Sequence, residues 1–199
     1  MEEKDPLISL NNISYAYPGG ETEVLRDASI ELSAGSAIGL VGLSGAGKTT
    51  LLDLMSGLLE PTGGRVCIDG DPLNDRRRKA WRQTVAYVLQ DAQLVNDNVR
   101  YNVAPFDDEP QDAEIWAALE LAGAGDIVRA LPDELETVLG ERGSRLSRGQ
   151  RQRISLARAL YLKPKILFLD EATSALNPAD EAAIVETLRG LRQQTPIVV

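Results

Sequence analysis

Apolar and polar positions alternate near the start of the chain and then give way to a helical period, and the change recurs along its length. "LISLNNISYAY" and, after "PGG", "VLRDASIEL" read as strands, the second with Val24, Leu25, Ile30 and Leu32 set among polar residues. "SAIGLVG" is a nearly all-apolar run and predicts a strand buried on both faces. From Gly47 the spacing of Leu51, Leu52, Met55 and Leu58 predicts a helix, ended by Pro61 and Gly63-Gly64. "RVCIDG" and "TVAYVLQ" predict further strands on either side of a basic helical piece, "NDRRRKAWRQ".

From Gln111 to about Val138 the pattern is helical, interrupted by "AGAGD" and Pro132, and another helix is predicted from about Arg148 to Tyr161. "KILFLDE" is a short apolar strand ending on two carboxylates. "PADEAAIVETLRGLRQQ" predicts a helix with Pro178 in its first turn and Arg189 and Arg192 near its end, where cations suit the helix dipole. "TPIVV" begins a last strand. Strands alternating with helices imply an α/β fold with a largely parallel sheet, preceded by N-terminal strands and interrupted by an all-helical insert between Asn96 and about Leu160.

Composition narrows this further. A chain of 199 residues with 43% apolar and 26% charged residues is one globular domain. No apolar run exceeds five residues, so nothing in it is expected to span a bilayer. "MEEKDP" lacks the apolar core of a secretion signal, and the single cysteine, Cys67, excludes an internal disulfide; together they predict a cytosolic setting. The net charge of −9 is unevenly spread: Asp107–Glu141 carries eleven acids against one base, whereas Arg142–Lys165 carries eight bases and no acid. The basic stretch is either a solvated face or a surface that meets something anionic. Free nucleic acid is disfavoured, because an acidic chain lacks the broad positive field such binding uses.

The candidate chemistry centres on "GLSGAGKTT", Gly42 to Thr50. Gly42-x-x-x-x-Gly47-Lys48-Thr49 fits the strand–loop–helix pattern that cradles phosphates. Its glycines let successive N–H groups, including those of Ser44, Gly45 and Ala46, converge on one spot, and the following helix adds its unpaired N–H groups through Thr50. Lys48 can reach β- and γ-phosphate oxygens, and the Thr49 hydroxyl can ligate Mg²⁺. "ILFLDE" supplies the matching carboxylates: Asp170 to hold Mg²⁺ and Glu171 to orient or deprotonate an attacking water. Asp170 falls at the C-terminal edge of the sheet, where ligands of open α/β sheets bind. ATP and Mg²⁺ are the expected ligands.

"SRLSRGQRQRISLARAL", Ser144–Leu160, resembles the signature segment of ABC-type ATPases, whose pattern is LSGGQ. With the two nucleotide motifs in the right order, the resemblance covers nearly the whole chain. It implies a P-loop NTPase (RecA-like) core over 1–95 and 161–199, with N-terminal antiparallel strands and a helical subdomain over 96–160. It implies that Tyr17 stacks on adenine, with Tyr15 as the rival, and that Gln90 touches Mg²⁺ or the water. It further implies a head-to-tail pair of such domains, in which Ser147, Arg148, Gly149 and Gln150 of one face the ATP held by the other. "VLGERGSRLS" and "DNVRYNVAP" are similar to exporter-type members, so the implied partner is the transmembrane domain of an exporter. The implied place is the cytoplasmic face of a membrane.

Three departures from that pattern matter. Arg148 replaces the first signature glycine, and Asn177 stands in "SALN" where the family usually has Asp. The chain holds no histidine, so the family's switch histidine is expected beyond Val199, and weak hydrolysis is expected of these residues alone. Two other functions compete: a regulatory, weakly hydrolysing half of a heterodimer, and a non-transport ATPase of the same family.

Overall fold

The computed structural model describes residues 7–20, 22–33, 35–170, 177–191 and 195–199. Its first sheet is antiparallel, built from β1 (Ile8–Tyr15), β2 (Leu25–Leu32), β4 (Gly63–Ile68) and β5 (Asp71–Pro72) in the order β2-β1-β4-β5. Its second is parallel, built from β3 (Ala37–Ile38), β6 (Val85–Val88), β7 (Ile166–Leu169) and β8 (Ile197–Val198) in the order β3-β8-β7-β6. The α/β class and the N-terminal antiparallel strands expected above are therefore present.

β7 separates two apolar cores. Side chains alternate across a strand, so Ile166 and Phe168 join one cluster while Leu167 and Leu169 join the other. The first cluster packs the antiparallel sheet against the parallel one, with Leu52, Leu54 and Met55 of α1 (Lys48–Ser56) and Trp81 of α2 (Asp75–Arg82) filling the space. Trp81 satisfies its buried indole by donating Nε1–H to the Met55 carbonyl at 2.9 Å. The second cluster lies between the parallel sheet and the helices α3 (Val99–Val103), α4 (Asp112–Leu121), α5 (Gly125–Arg129), α6 (Arg148–Tyr161) and α7 (Pro178–Leu191). The predicted helical insert is thus α3 to α6, and α6 begins and ends where the spacing places it.

Two expectations fail. "SAIGLVG" is not a strand buried on both faces: β3 is two residues long, lies at the sheet edge beside β8 alone, and is followed by a fully exposed Val41. The strand with that property is β7. Helix α1 also stops short of Pro61, because Gly57 adopts the left-handed conformation at φ 77° and the Leu58 N–H turns back to the Asp53 carbonyl at 2.8 Å. Leu58 is consequently exposed rather than on the helix's apolar face.

An internal polar network fixes the path from β6 to α3. Buried Asn102 donates through Nδ2 to the carbonyls of Val95 and Asn98 at 3.1 and 3.0 Å, and its Oδ1 accepts from the Val95 N–H at 2.9 Å. Arg158 of α6 closes it by donating to the Asn102 and Gln93 carbonyls at 2.6 and 2.8 Å. Burial depresses the pKa of Arg158, but a guanidinium stays charged throughout the physiological range.

Candidate functional site

The loop after β3 curls by means of two left-handed glycines, Gly45 at φ 80° and Gly47 at φ 88°. Gly47 is also the residue before α1, and a Cβ there would approach Leu25 Cδ2 at 3.0 Å and Val24 Cγ1 at 3.2 Å. Gly47→Ala therefore meets backbone strain of about 1–2 kcal/mol and tight contacts that Leu25 and Val24 must shift to relieve. It is expected to lower thermal stability and, by displacing the loop, to weaken ATP binding in an equilibrium titration; an unchanged affinity would show that the loop tolerates a side chain there.

Tyr17, Val24, Ser44, Gly45, Gly47, Lys48, Thr49 and Thr50 line one open cavity of about 330 Å³. Lys48 Nζ donates to the carbonyls of Gly42 and Leu43 at 2.9 and 3.1 Å, so among the described residues its charge sits over the loop, held by neutral acceptors. Tyr17 Oη shares a hydrogen bond with Thr50 Oγ1 at 3.0 Å and the ring is 46% exposed. Tyr15 is 5% exposed within the core and meets Tyr17 edge-on, with ring centroids 5.1 Å apart. Of the two tyrosines, only Tyr17 offers a face to the cavity.

Thr49 Oγ1 donates to Asp170 Oδ2 at 2.8 Å. This bond joins the start of α1 to the end of β7, where the Asp170 N–H is anchored on the Val88 carbonyl at 3.0 Å. Gln90 lies two residues beyond β6 on the same sheet edge and is exposed. Glu171 lies outside the described residues.

Two residues near Asp170 escaped the sequence reading. Burial raises the pKa of Asp53, Tyr87 lowers it, and the Asp170 charge raises it again. The Tyr87 hydroxyl is buried close to Asp53, with no partner within 3.5 Å among the described residues, and is pushed up in pKa by burial and by the charges of Asp53 and Asp170. Asp53 stands one helical turn after Thr49, a spacing that marks a shared face and was the available signal.

A hydroxyl oxygen and a carboxylate oxygen at hydrogen-bond distance, with a second carboxylate close by, form a hard oxygen set suited to Mg²⁺. Among the described residues no group of three or more His, Cys, Asp or Glu gathers to hold a metal on its own. That too fits Mg²⁺, which is ordinarily held by one or two carboxylates, substrate phosphates and water. The glycine cradle and the lysine fit a polyphosphate.

The signature residues sit elsewhere. Ser147 caps α6, its Oγ accepting from the Gln150 N–H at 3.2 Å while Gln150 Oε1 accepts from the Ser147 N–H at 2.8 Å. Arg148 Nη2 donates to Asp91 Oδ1 at 2.7 Å, beside Gln90, and lines a separate cavity of about 460 Å³ with Asp91, Glu141 and Arg151. None of Ser147, Arg148, Gly149 and Gln150 lines the phosphate-loop cavity. Much of the basic stretch is engaged inside the chain: Arg145 donates to the Val138 carbonyl, Arg151 to the Leu146 carbonyl, and Arg153 and Lys163 pair with Asp180 and Glu114.

Several known proteins are similar to this chain. An ATP-dependent lipid A-core flippase of Chromobacterium violaceum is 42% identical over 193 residues, covering 96% of this chain and 33% of the flippase. A multidrug resistance ABC transporter ATP-binding and permease protein of Lactococcus lactis is 37% identical over 194 residues, again 96% of this chain and 33% of that protein. The chain thus spans about a third of the length of the curated relatives it matches. A bacterial Atm1-family ABC exporter solved with ATP bound superposes with a TM-score of 0.87 at 34% identity, over 100% of this chain and 36% of that one. The family model described as ABC transporter matches residues 25–174, which hold both the phosphate loop and the signature segment, and the chain belongs to that family.

Proposed function

We propose that these residues bind MgATP and hydrolyse it as the motor unit of an exporter-type transporter. The observation that carries this reading is the Thr49–Asp170 hydrogen bond, which brings the phosphate loop and the strand-end carboxylate to one point across 121 residues of sequence. Bound Mg²⁺ would be held by Thr49 and Asp170, with Gln90 beside them, and would supply charge stabilisation at the phosphates. Lys48 releases its two carbonyl acceptors to grip β- and γ-phosphate oxygens, and the amides of Gly42, Ser44, Gly45, Ala46, Gly47 and Thr50 complete the cradle. Tyr17 stacks on the base, and Glu171 orients the attacking water.

The capped start of α6 presents Ser147, Arg148, Gly149 and Gln150 away from this cavity, which supports a head-to-tail pair in which they meet the ATP of a second such domain. The relatives named as a flippase and as a multidrug ATP-binding and permease protein support coupling to an exporter's transmembrane domain. Coupled to such a partner, the domain would work at the cytoplasmic face of a membrane. No described helix is itself long and apolar enough to cross one.

The test is ATP turnover by the full-length protein. Magnesium-dependent release of phosphate supports the reading. Tight ATP binding without turnover would assign the regulatory half instead, and absence of ATP binding would end both.

A further inference from the structure

The start of α7 is clasped to α6 by three side chains outside the phosphate-loop cavity. Asn177 Oδ1 accepts from the N–H groups of Ala179 and Asp180 at 3.1 and 2.9 Å, while its Nδ2 donates to Asp180 Oδ2 at 2.7 Å. The other oxygen of that carboxylate accepts from Arg153 Nη2 of α6 at 3.0 Å. Arg153 and Asp180 are well shielded, with side chains only 19% and 21% exposed. The carboxylate also lies directly against Gly149: a Cβ at that position would overlap it. Glycine in the signature segment thus makes room for an acid of α7.

Charge explains the residue at 177. An aspartate there, the residue usual in the family, would replace the donor Nδ2 by an anionic oxygen facing Asp180. Two carboxylates at that separation cannot both ionise without a large penalty. Here Asp180 supplies the one negative charge, Arg153 neutralises it, and Asn177 both caps α7 and donates to it.

We propose that Asn177, Asp180 and Arg153 are positioning residues that make the first turn of α6 and the start of α7 move as one body, and that Asn177 is required because Asp180 already carries the charge. The importance of that motion rests on the function proposed above, in which Ser147–Gln150 meet a second domain's nucleotide. The substitution that restores the family's usual residue, Asn177→Asp, should therefore do harm. Adding Asp180→Asn should repair it, since Asp at 177 then accepts from the new amide while the amide oxygen accepts from Arg153.

The experiment compares Asn177→Asp, Asp180→Asn and the double swap in the full-length protein, reading MgATP affinity, ATP-dependent association of the two ATP-binding domains, and the thermal midpoint. None of the three side chains lines the phosphate-loop cavity, so the MgATP affinity of the unassociated domains should stay within about twofold in every variant. Association should weaken roughly tenfold in Asn177→Asp and return to within about threefold of wild type in the swap. A neutral Asn177→Asp, or a swap as poor as the worse single variant, overturns the proposal. A purely structural role would lower the midpoint without weakening association in the surviving folded protein, and overturns it equally. If the unmodified protein shows neither MgATP binding nor association, the functional reading fails. The clasp is then judged by the midpoint alone, lowered by Asn177→Asp and restored by the swap if it exists.

Discussion

Lys48→Ala should lower the affinity for MgATP by on the order of a hundredfold while leaving the fold intact. In this structure the ammonium is held by two neutral carbonyls of its own loop, those of Gly42 and Leu43. A triphosphate offers anionic oxygens instead, and hydrogen bonds to charged groups contribute about 1.5–3 kcal/mol each. One or two such bonds, less the carbonyl contacts surrendered, give the expected loss. Lys48→Arg should not recover it, because the planar guanidinium is larger than the point charge the loop surrounds. Titration with a fluorescent nucleotide reads the effect, and a change of less than about threefold would mean the lysine does not grip the nucleotide.

Glu171→Gln should reduce turnover by roughly 10²–10⁴-fold, the usual contribution of a general base, while MgATP stays bound. The glutamate follows Asp170 in sequence, and Asp170 itself stands at the end of β7 and accepts the Thr49 hydroxyl. Glutamine keeps the size and one acceptor but cannot take a proton. The measurement pairs single-turnover hydrolysis with nucleotide retention. Turnover within about tenfold of the unmodified protein would remove Glu171 from the chemistry.

Much of the fold is legible in local pattern. The strand that ends at the acid pair, β7, and the bounds of α6 follow from local pattern, and a serine cap with a capping-box glutamine fixes the start of α6. β3 departs from its apolar pattern because composition does not reveal a sheet edge: burial on both faces depends on which strand lies alongside, and that is set by topology. Helix α1 is shorter than its apolar spacing implies because the left-handed turn at Gly57 outweighs the pattern that continues to Leu58.

At the site, the phosphate loop and Asp170 were legible because their chemistry is carried by consecutive residues. Tyr17 and Tyr15 are not separated by spacing but differ in burial: Tyr15 packs in the core, and Tyr17 touches Thr50. Tyr87, Asp91 and Asp180 were invisible because each gains its meaning from a residue on another element. The basic stretch reads in sequence either as a solvated face or as a surface that meets an anion; in the structure it is largely occupied by carbonyls and carboxylates of the same chain.

The most direct test of the central claim is ATP affinity with Mg²⁺ and with chelator, in the unmodified full-length protein and in Asp170→Asn. Asparagine can still accept the Thr49 hydroxyl but cannot offer the metal an anionic oxygen. The account predicts that Mg²⁺ tightens ATP binding in the unmodified protein and that most of this gain vanishes in the variant. No ATP binding at millimolar nucleotide, or a magnesium gain that survives Asp170→Asn undiminished, would contradict it.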